Sequence, residues 1–180
     1  MVYILLGTGF EEVEAVAPLN LLRRADVEVL TVGLNGKTVY GAHNIGIEAD
    51  IEVGEMDLTA MDMIVLPGGL GGVASIRASK EAMEAIQFAW NNEKFVAAIC
   101  AGPTILADLH ITDELNATCY PSCAEKMGNA KFVPDVAAIR DGRVITGTSA
   151  GCAVPFGLAL VEALKSKAVA ETVADQFVIR

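Results

Sequence analysis

Short apolar segments alternate with longer helical segments along most of this 180-residue chain. The apolar runs are too short for helices and contain few polar residues, which is typical of strands buried on both faces. They cover Val2–Leu6, Val27–Val32, Met63–Leu66 and Phe95–Ile99. Helices are predicted over Glu11–Arg24, Lys80–Asn91, Pro103–Leu109 and Cys152–Leu164. This alternation predicts a single α/β domain over residues 1–180, with a doubly wound, mostly parallel sheet sandwiched between helices.

Several shorter elements complete the predicted fold. A side hairpin is expected from Thr38–Tyr40 and Ile47–Val53, and a further strand from Ala117–Cys119. The Asp141-Gly142 pair is a strong turn signal, and it predicts a second hairpin from Val136–Arg140 and Arg143–Thr146. The tail from Val169 is compatible with either a short helix or a strand.

Composition and charge exclude several classes of protein. With 53% hydrophobic residues and a net charge of −10, the chain is expected to be globular and to avoid nucleic acids and anionic membranes. The first apolar run lacks the flanks of a signal peptide, and the uncharged stretch Thr146–Val161 is interrupted by glycines and Pro155. None of the four cysteines forms a C-x-x-C pair. We therefore expect a cytoplasmic protein with reduced thiols.

Cys100 is placed where a strand turns sharply into a helix. Small residues follow it, so the backbone can be strained and the thiol exposed, as in other nucleophile turns. The N-terminus of the next helix favours negative charge, which predicts a lowered pKa and a reactive thiolate. The alternative is a buried cysteine that only packs against the sheet.

Three segments follow predicted strands and are expected to meet at one edge of the sheet. They are Gly7-Thr8-Gly9, Pro67-Gly68-Gly69 and Cys100. Ligands of such sheets bind beyond the carboxyl ends of the strands, so these segments predict one crevice. There, the backbone N–H groups of Gly69 and Ala101 could hold a developing oxyanion, although a Gly-Gly pair often does no more than make a turn.

Glu14 lies on an otherwise apolar face of the first predicted helix, together with Phe10, Pro18 and Leu21. If it is buried against Cys100, it is expected to be protonated and to donate a hydrogen bond to the thiolate. The alternative is a surface glutamate on a frayed first turn. Its neighbours Glu11 and Glu12 are expected to be solvated.

The remaining motifs do not predict a metal or a cofactor. Cys119 and Cys123 lack the spacing and the second ligand pair of a zinc site, but Cys119 could act as a resolving thiol near the crevice. Gly7-x-Gly9 lacks the third glycine of a dinucleotide fingerprint. The glycines of residues 68–72 lack the Lys-Ser/Thr of a phosphate loop.

Four motifs together resemble the ThiJ/PfpI superfamily, in the branch of the parkinsonism-associated protein deglycase (DJ-one) and its bacterial counterparts. They are Gly7-x-Gly-x-Glu-Glu-x-Glu14, Leu66-Pro-Gly-Gly69, Ala98-Ile-Cys-Ala-Gly-Pro103 and Val161-Glu-Ala-Leu164. The resemblance implies a flavodoxin-like fold of the class I glutamine amidotransferase-like type, and a homodimer. It also implies an oxidisable nucleophile at Cys100, a protonated Glu14 in contact with it, and backbone donors at Gly69 and Ala101.

Two departures from the family pattern bear on function. Many members carry a histidine where this chain has Tyr120, which is taken here as a substrate-binding residue, and the peptidase branch has a histidine where Ala101 stands. The histidines of this chain are His43, expected to be exposed, and His110, expected to interact with the end of the helix after Cys100. A Cys-His hydrolase is therefore not favoured.

The resemblance implies a cofactor-independent glyoxalase or deglycase that acts on small reactive dicarbonyls or their early adducts, with a stress-protective role. One alternative is a redox-sensing or chaperone-like stress protein that responds through oxidation of Cys100. An amidase or peptidase is the third hypothesis, supported only by the wider superfamily.

Overall fold

A computed structural model describes residues 1–179 of the chain. The strands within these residues are β1 (Val2–Leu6), β2 (Val29–Gly33), β3 (Thr38–Tyr40), β4 (Gly46–Glu48), β5 (Ile51–Glu52), β6 (Met63–Leu66), β7 (Phe95–Ile99), β8 (Asn116–Ala117), β9 (Lys131–Phe132), β10 (Ala138–Asp141) and β11 (Val144–Gly147). The α-helices are α1 (Glu12–Arg24), α2 (Leu70–Ala78), α3 (Lys80–Asn91), α4 (Pro103–Asp108), α5 (Ala153–Leu164) and α6 (Lys167–Gln176).

A seven-stranded sheet in the order β10-β11-β7-β6-β1-β2-β5 forms the centre of the molecule. Every neighbouring pair in it is parallel except β10 and β11. Successive side chains of β1 enter opposite cores. Tyr3 and Leu5 pack on the side of α2, α3 and α4, whereas Ile4 and Leu6 pack on the side of α1, α5 and α6. The predicted fold class, a mostly parallel sheet between helices, is confirmed.

Five elements have the predicted bounds, namely β1, β3, β6, β7 and α3. The Asp141-Gly142 hairpin is also present, as the antiparallel pair β10 and β11. The predicted Ile47–Val53 strand is wrong in extent, because it divides between two sheets. Within it, β4 pairs with β3 in the side hairpin, and β5 instead extends the main sheet beside β2. The tail forms helix α6. Ser166 caps its N-terminus, where the Ser166 side chain accepts a hydrogen bond from the Val169 N–H.

The sequence analysis did not predict α2, which begins Leu70-Gly71-Gly72. Glycines disfavour helices, but here they let α2 approach the loop after β1 very closely. A Cβ added at Gly72 would lie 2.6 Å from Phe10 Cα, and one at Gly71 would lie 3.0 Å from Gly9 Cα. This close packing holds the loops after β1 and β6 together at the carboxyl edge of the sheet.

Helix α1 is held equally close to α5. A Cβ added at Gly157 of α5 would lie 2.7 Å from Leu21 Cδ1 and 3.0 Å from Pro18 Cα. Pro18 has no N–H to donate to the Glu14 carbonyl, so α1 lacks one internal hydrogen bond at this level. The packing fixes α1 against the sheet with Glu14 on its buried side.

Candidate active site

Cys100 occupies a strained turn between β7 and α4. Its φ is +62°, in the left-handed region that costs a non-glycine residue about 1–2 kcal/mol. The turn is held by the Cys100 N–H, which donates to the Gly147 carbonyl of β11 at 2.9 Å. Gly102 must be small, because a Cβ there would lie 2.7 Å from the Leu66 carbonyl oxygen. The predicted turn is present, and the Cys100 side chain is half-buried beside a cavity.

Glu14 is fully buried on the inner side of α1. Its Oε2 accepts a hydrogen bond from the Gly68 N–H at 2.7 Å, while its Oε1 is buried with no hydrogen-bond partner among residues 1–179. Burial raises the pKa of Glu14 to about 7, although the Gly68 N–H and the Cys100 thiol act in the opposite direction. The carboxyl can therefore accept and release a proton near neutral pH.

Gly68 lies between the Glu14 carboxyl and Cys100. A Cβ added at Gly68 would lie 2.6 Å from Glu14 Oε2 and 2.7 Å from Cys100 Cβ. The lack of a side chain at this position lets the carboxyl, the turn after β6 and the nucleophile turn meet. The structure thus brings together the two residues for which the sequence predicted a contact.

The predicted lowering of the Cys100 pKa is wrong in direction. Burial, followed by the negative charge of Glu14, raises the pKa of the Cys100 thiol to about 12. The N-terminus of α4 was expected to favour the thiolate, but α4 is a helix of only six residues. The thiol thus keeps its proton while Glu14 is ionised, and the pair is arranged for transfer of that proton to the carboxylate.

Two backbone N–H groups oppose these effects at the sulfur. The backbone N–H groups of Ala101 and Gly69 lower the pKa of Cys100, and both residues line the cavity beside it. Gly69 has a φ of +82°, and a Cβ there would lie 2.5 Å from the Gly9 carbonyl oxygen. This backbone conformation turns Gly69 toward Cys100. Both N–H groups that the sequence singled out therefore lie at the nucleophile.

A cavity of about 180 Å³ opens beside Cys100. Its lining combines one acidic residue with polar, apolar and thiol groups: Glu11, Gly69, Leu70, Cys100, Ala101, Tyr120, Ser122 and Cys123. The Tyr120 N–H donates to the Cys100 carbonyl at 2.8 Å, and its side chain is 45% exposed at the cavity wall. Tyr120 thus lies at the boundary between the cavity and the solvent.

The glutamates before Glu14 differ from the solvated residues that were expected. Glu11 lines the cavity with a side chain that is 19% exposed. Glu12 is buried and accepts hydrogen bonds from the backbone N–H of His43 at 2.7 Å and from its Nδ1 at 2.9 Å. His43 itself is exposed, as predicted. Glu11, Glu12 and His43 come close enough to share a cation, but Glu12 is already satisfied by His43.

The other predicted residues lie away from the sulfur. His110 follows α4 but its Nδ1 interacts with Asp113 at 3.1 Å. Cys119 is fully buried, its thiol donates to the Tyr120 carbonyl at 3.3 Å, and it is not part of the cavity lining. Cys123 lines the cavity instead. The spacing of the two cysteines across Tyr120-Pro121 could not show which of them faces Cys100.

Fold and site together define a class: an α/β protein that holds a cysteine on a strand-to-helix turn beside a buried glutamate. A model of the DJ-1/PfpI family matches residues 1–163, and this chain belongs to that family. The resemblance found in the sequence is therefore confirmed.

Individual relatives match almost the whole chain. Protein dj-1beta of Drosophila melanogaster is 32% identical over 178 residues, which is 98% of this chain and 95% of that protein. Its crystal structure superposes with a TM-score of 0.94, covering 99% of this chain and 97% of that one. A Caenorhabditis elegans relative named glutathione-independent glyoxalase DJR-1.2 is 31% identical over 86% of this chain and 83% of that protein.

Within residues 1–179, none of the helices has the length and apolar character needed to cross a bilayer.

Proposed function

We propose that this chain is a cofactor-independent glyoxalase that converts small 2-oxoaldehydes such as methylglyoxal to 2-hydroxy acids. The observation that carries the proposal is the pairing of Cys100 with a buried carboxyl whose pKa is raised to about 7. The relative named as a glutathione-independent glyoxalase supports the same chemistry. Cys100 is the proposed nucleophile and Glu14 the proposed proton carrier.

The first step is addition of sulfur to the aldehyde carbon. Ionised Glu14 removes the thiol proton as Cys100 Sγ bonds to that carbon, which avoids a free thiolate whose pKa is about 12. The carbonyl oxygen becomes an oxyanion next to the N–H groups of Gly69 and Ala101. Glu14 then returns the proton to this oxygen, which gives a hemithioacetal and an ionised carboxylate.

The second step moves hydrogen between the two carbons of the substrate. Glu14 removes the proton from the former aldehyde carbon, which gives an enediolate, and returns that proton to the neighbouring carbon. The hydroxyl proton on the former aldehyde carbon passes to the oxygen on the neighbouring carbon, so a carbonyl forms at the sulfur-bearing carbon. The product of this step is a 2-hydroxyacyl thioester on Cys100. Water then cleaves the thioester, releasing lactate when the substrate is methylglyoxal and restoring the thiol.

The same addition step extends the proposal to deglycase activity. In an early adduct of a dicarbonyl on a protein or nucleotide amine, Cys100 sulfur bonds to the former aldehyde carbon as the carbon–nitrogen bond breaks, and the amine leaves with the thiol proton that Glu14 carries. The cavity opens at the half-exposed Tyr120, which leaves room for the amine part of an adduct outside it. A stress-protective role follows from removal of reactive dicarbonyls.

The proposal is tested by lactate formation from methylglyoxal. Cys100→Ser is expected to reduce the rate at least about a hundredfold, because a serine hydroxyl is a far weaker nucleophile here. Cys152→Ser is the matched control, since Cys152 is also half-buried but does not line the cavity. Turnover that survives in Cys100→Ser contradicts the proposal.

A second candidate function is redox sensing through Cys100. The unpartnered Oε1 of Glu14 supports it, because a protonated carboxyl there can donate to an oxygen atom added to the sulfur. Mild peroxide is then expected to add two oxygens at Cys100 and to alter partner binding or chaperone-like activity. Oxidation scattered over several residues argues against this function.

An amidase or peptidase has the least support. Among the described residues, neither His43 nor His110 lines the cavity, so no imidazole is available to activate Cys100 there. Release of ammonia or peptide at a rate that depends on Cys100 would restore this hypothesis.

A homodimer is part of the proposal. An apolar groove of about 510 Å³ runs between α1, the β3–β4 hairpin and the C-terminal helix. Its lining is largely aliphatic and includes Val13, Val16, Ala17, Ile45, Ile47 and Phe177. A second copy of the chain would cover these exposed side chains. Sedimentation equilibrium is expected to give a dimer, and a Val16→Glu variant is expected to give a monomer.

The proposed location is the cytoplasm. All four cysteines are free thiols, and the proposed chemistry needs Cys100 in its reduced state. Fractionation of the source cells with an antibody to the chain tests this location. Recovery in an oxidising compartment contradicts it.

A further inference from the structure

We propose that Cys123 is the resolving thiol of Cys100. Oxidation of Cys100 by a hydroperoxide would then end in an intramolecular disulfide between these two residues. The sulfinate of the redox candidate would be bypassed. This inference does not depend on glyoxalase turnover, because it concerns the fate of an oxidised sulfur and not the handling of a carbonyl.

The two cysteines lie on the wall of the same cavity of about 180 Å³. One residue connects them through its backbone. The Tyr120 N–H donates to the Cys100 carbonyl at 2.8 Å, and the Tyr120 carbonyl accepts from the Cys123 N–H at 2.7 Å. The segment that carries Cys123 is therefore anchored directly to the nucleophile turn.

The other cysteines are excluded by their positions. Cys119 is fully buried, and its thiol points to the Tyr120 carbonyl. Cys152 lies at the start of α5, next to the Ser149 hydroxyl, and is not part of the cavity lining. Cys123 is thus the cysteine that shares open space with Cys100.

A disulfide needs Cα atoms within about 4.4–6.8 Å, so its formation can require a movement of the chain. Cys123 lies on a short 3₁₀ helix, Pro121–Lys126, whose other residues are mostly exposed. Cys123 is the one buried residue of this helix and packs in the core, so closure toward Cys100 moves a single buried thiol while the exposed side chains of the helix stay in solvent.

The chemistry proceeds in two balanced steps. Cys100 sulfur attacks the hydroperoxide, a sulfur–oxygen bond forms as the oxygen–oxygen bond breaks, and water or an alcohol leaves. The sulfur loses two electrons and the peroxide gains them. Cys123 sulfur then attacks the Cys100 sulfenic acid, the sulfur–oxygen bond breaks, and water leaves with the Cys123 thiol proton. A second hydroperoxide is the competing partner, and it yields the sulfinate.

The test is intact mass after treatment of the reduced protein with a small excess of hydrogen peroxide, followed by alkylation of the remaining thiols. The wild type is expected to lose two hydrogens and two alkylation sites, and dithiothreitol should restore both. Cys123→Ser is expected to gain two oxygens instead. A wild type that gains two oxygens as readily as Cys123→Ser overturns the proposal.

Peptide mapping locates the bond in the wild type, and one control variant assigns it to a cysteine. Trypsin leaves Cys100, Cys119 and Cys123 on one fragment, residues 95–126. Cleavage after glutamate separates residues 94–114 from 115–125, so a link between these two fragments reports the disulfide. Cys119→Ser is the matched control. It must keep the link, and loss of the link in Cys119→Ser overturns the assignment to Cys123.

Discussion

The Glu14 carboxyl and the Cys100 side chain face each other across Gly68, at which an added Cβ would lie 2.6 Å from Glu14 Oε2 and 2.7 Å from Cys100 Cβ. The negative charge of Glu14 raises the pKa of the Cys100 thiol, whereas the Cys100 thiol lowers the pKa of Glu14. The consequence is that one proton can pass directly between the buried carboxyl and the half-buried thiol.

Replacing Gly68 by alanine should separate the pair. The added methyl group has no space, so the Glu14 side chain or the Cys100 turn must move, and misplacement of about 1 Å typically reduces rates about a hundredfold. We expect kcat/KM for methylglyoxal to fall by about that factor. Gly54→Ala is the control, because a Cβ at Gly54 meets no atom within 4 Å. Equal activity in the two variants would show that the close approach at Gly68 is unimportant.

The buried carboxyl should also make folding stability depend on pH. The pKa of Glu14 is about 7 in the folded chain against an ordinary value of 4.5, so ionisation opposes folding. The contribution of the neutral Glu14 carboxyl to folding stability is fully present below pH 4.5 and is lost as the pH rises through about 7. The loss amounts to about 3 kcal/mol.

Urea unfolding of Glu14→Gln measures this contribution. The amide stays neutral, so the variant should be more stable than the wild type at pH 8 and similar to it at pH 4.5. Glu125→Gln, at an exposed position on the 3₁₀ helix, should follow the wild type at both values. A Glu14→Gln protein that loses stability between pH 4.5 and 8 as much as the wild type would contradict burial of an ionisable group here.

Tyr120 should affect substrate binding more than the chemical step. Its backbone N–H holds the Cys100 carbonyl, and this bond survives any side-chain change except to proline. Its half-exposed ring offers apolar contact at the cavity wall. Tyr120→Ala should therefore raise KM for a 2-oxoaldehyde about fivefold with little change in kcat. A loss confined to kcat would instead place the phenol in proton transfer.

Much of the fold could be predicted from the sequence because the strands are continuous apolar runs. Strands β6 and β7 begin and end where Met63–Leu66 and Phe95–Ile99 begin and end. Helix α2 could not be predicted, since Gly71 and Gly72 disfavour a helix locally. The close packing against Gly9 and Phe10 that requires these glycines is visible only in the tertiary structure.

The candidate site, like the fold, could be predicted from the sequence only in part. Cys100 and Glu14 could be found because one occupies a strand-to-helix turn and the other breaks an apolar helix face. The direction of the Cys100 pKa could not be found, since it depends on how far the sulfur is buried and on the charge across Gly68. The choice between Cys119 and Cys123 likewise depends on the path of the chain around Tyr120-Pro121.

The proton transfer between Glu14 and Cys100 is tested by the pH dependence of kcat/KM for lactate formation from methylglyoxal. Glu14 must be ionised to take the thiol proton, so the wild-type value should rise with pH and level off above a midpoint near 7. Glu14→Gln should lose this rise and fall at least about a hundredfold at pH 7.5. A Glu14→Gln protein that keeps the wild-type midpoint and rate would contradict the proposed role of the carboxyl.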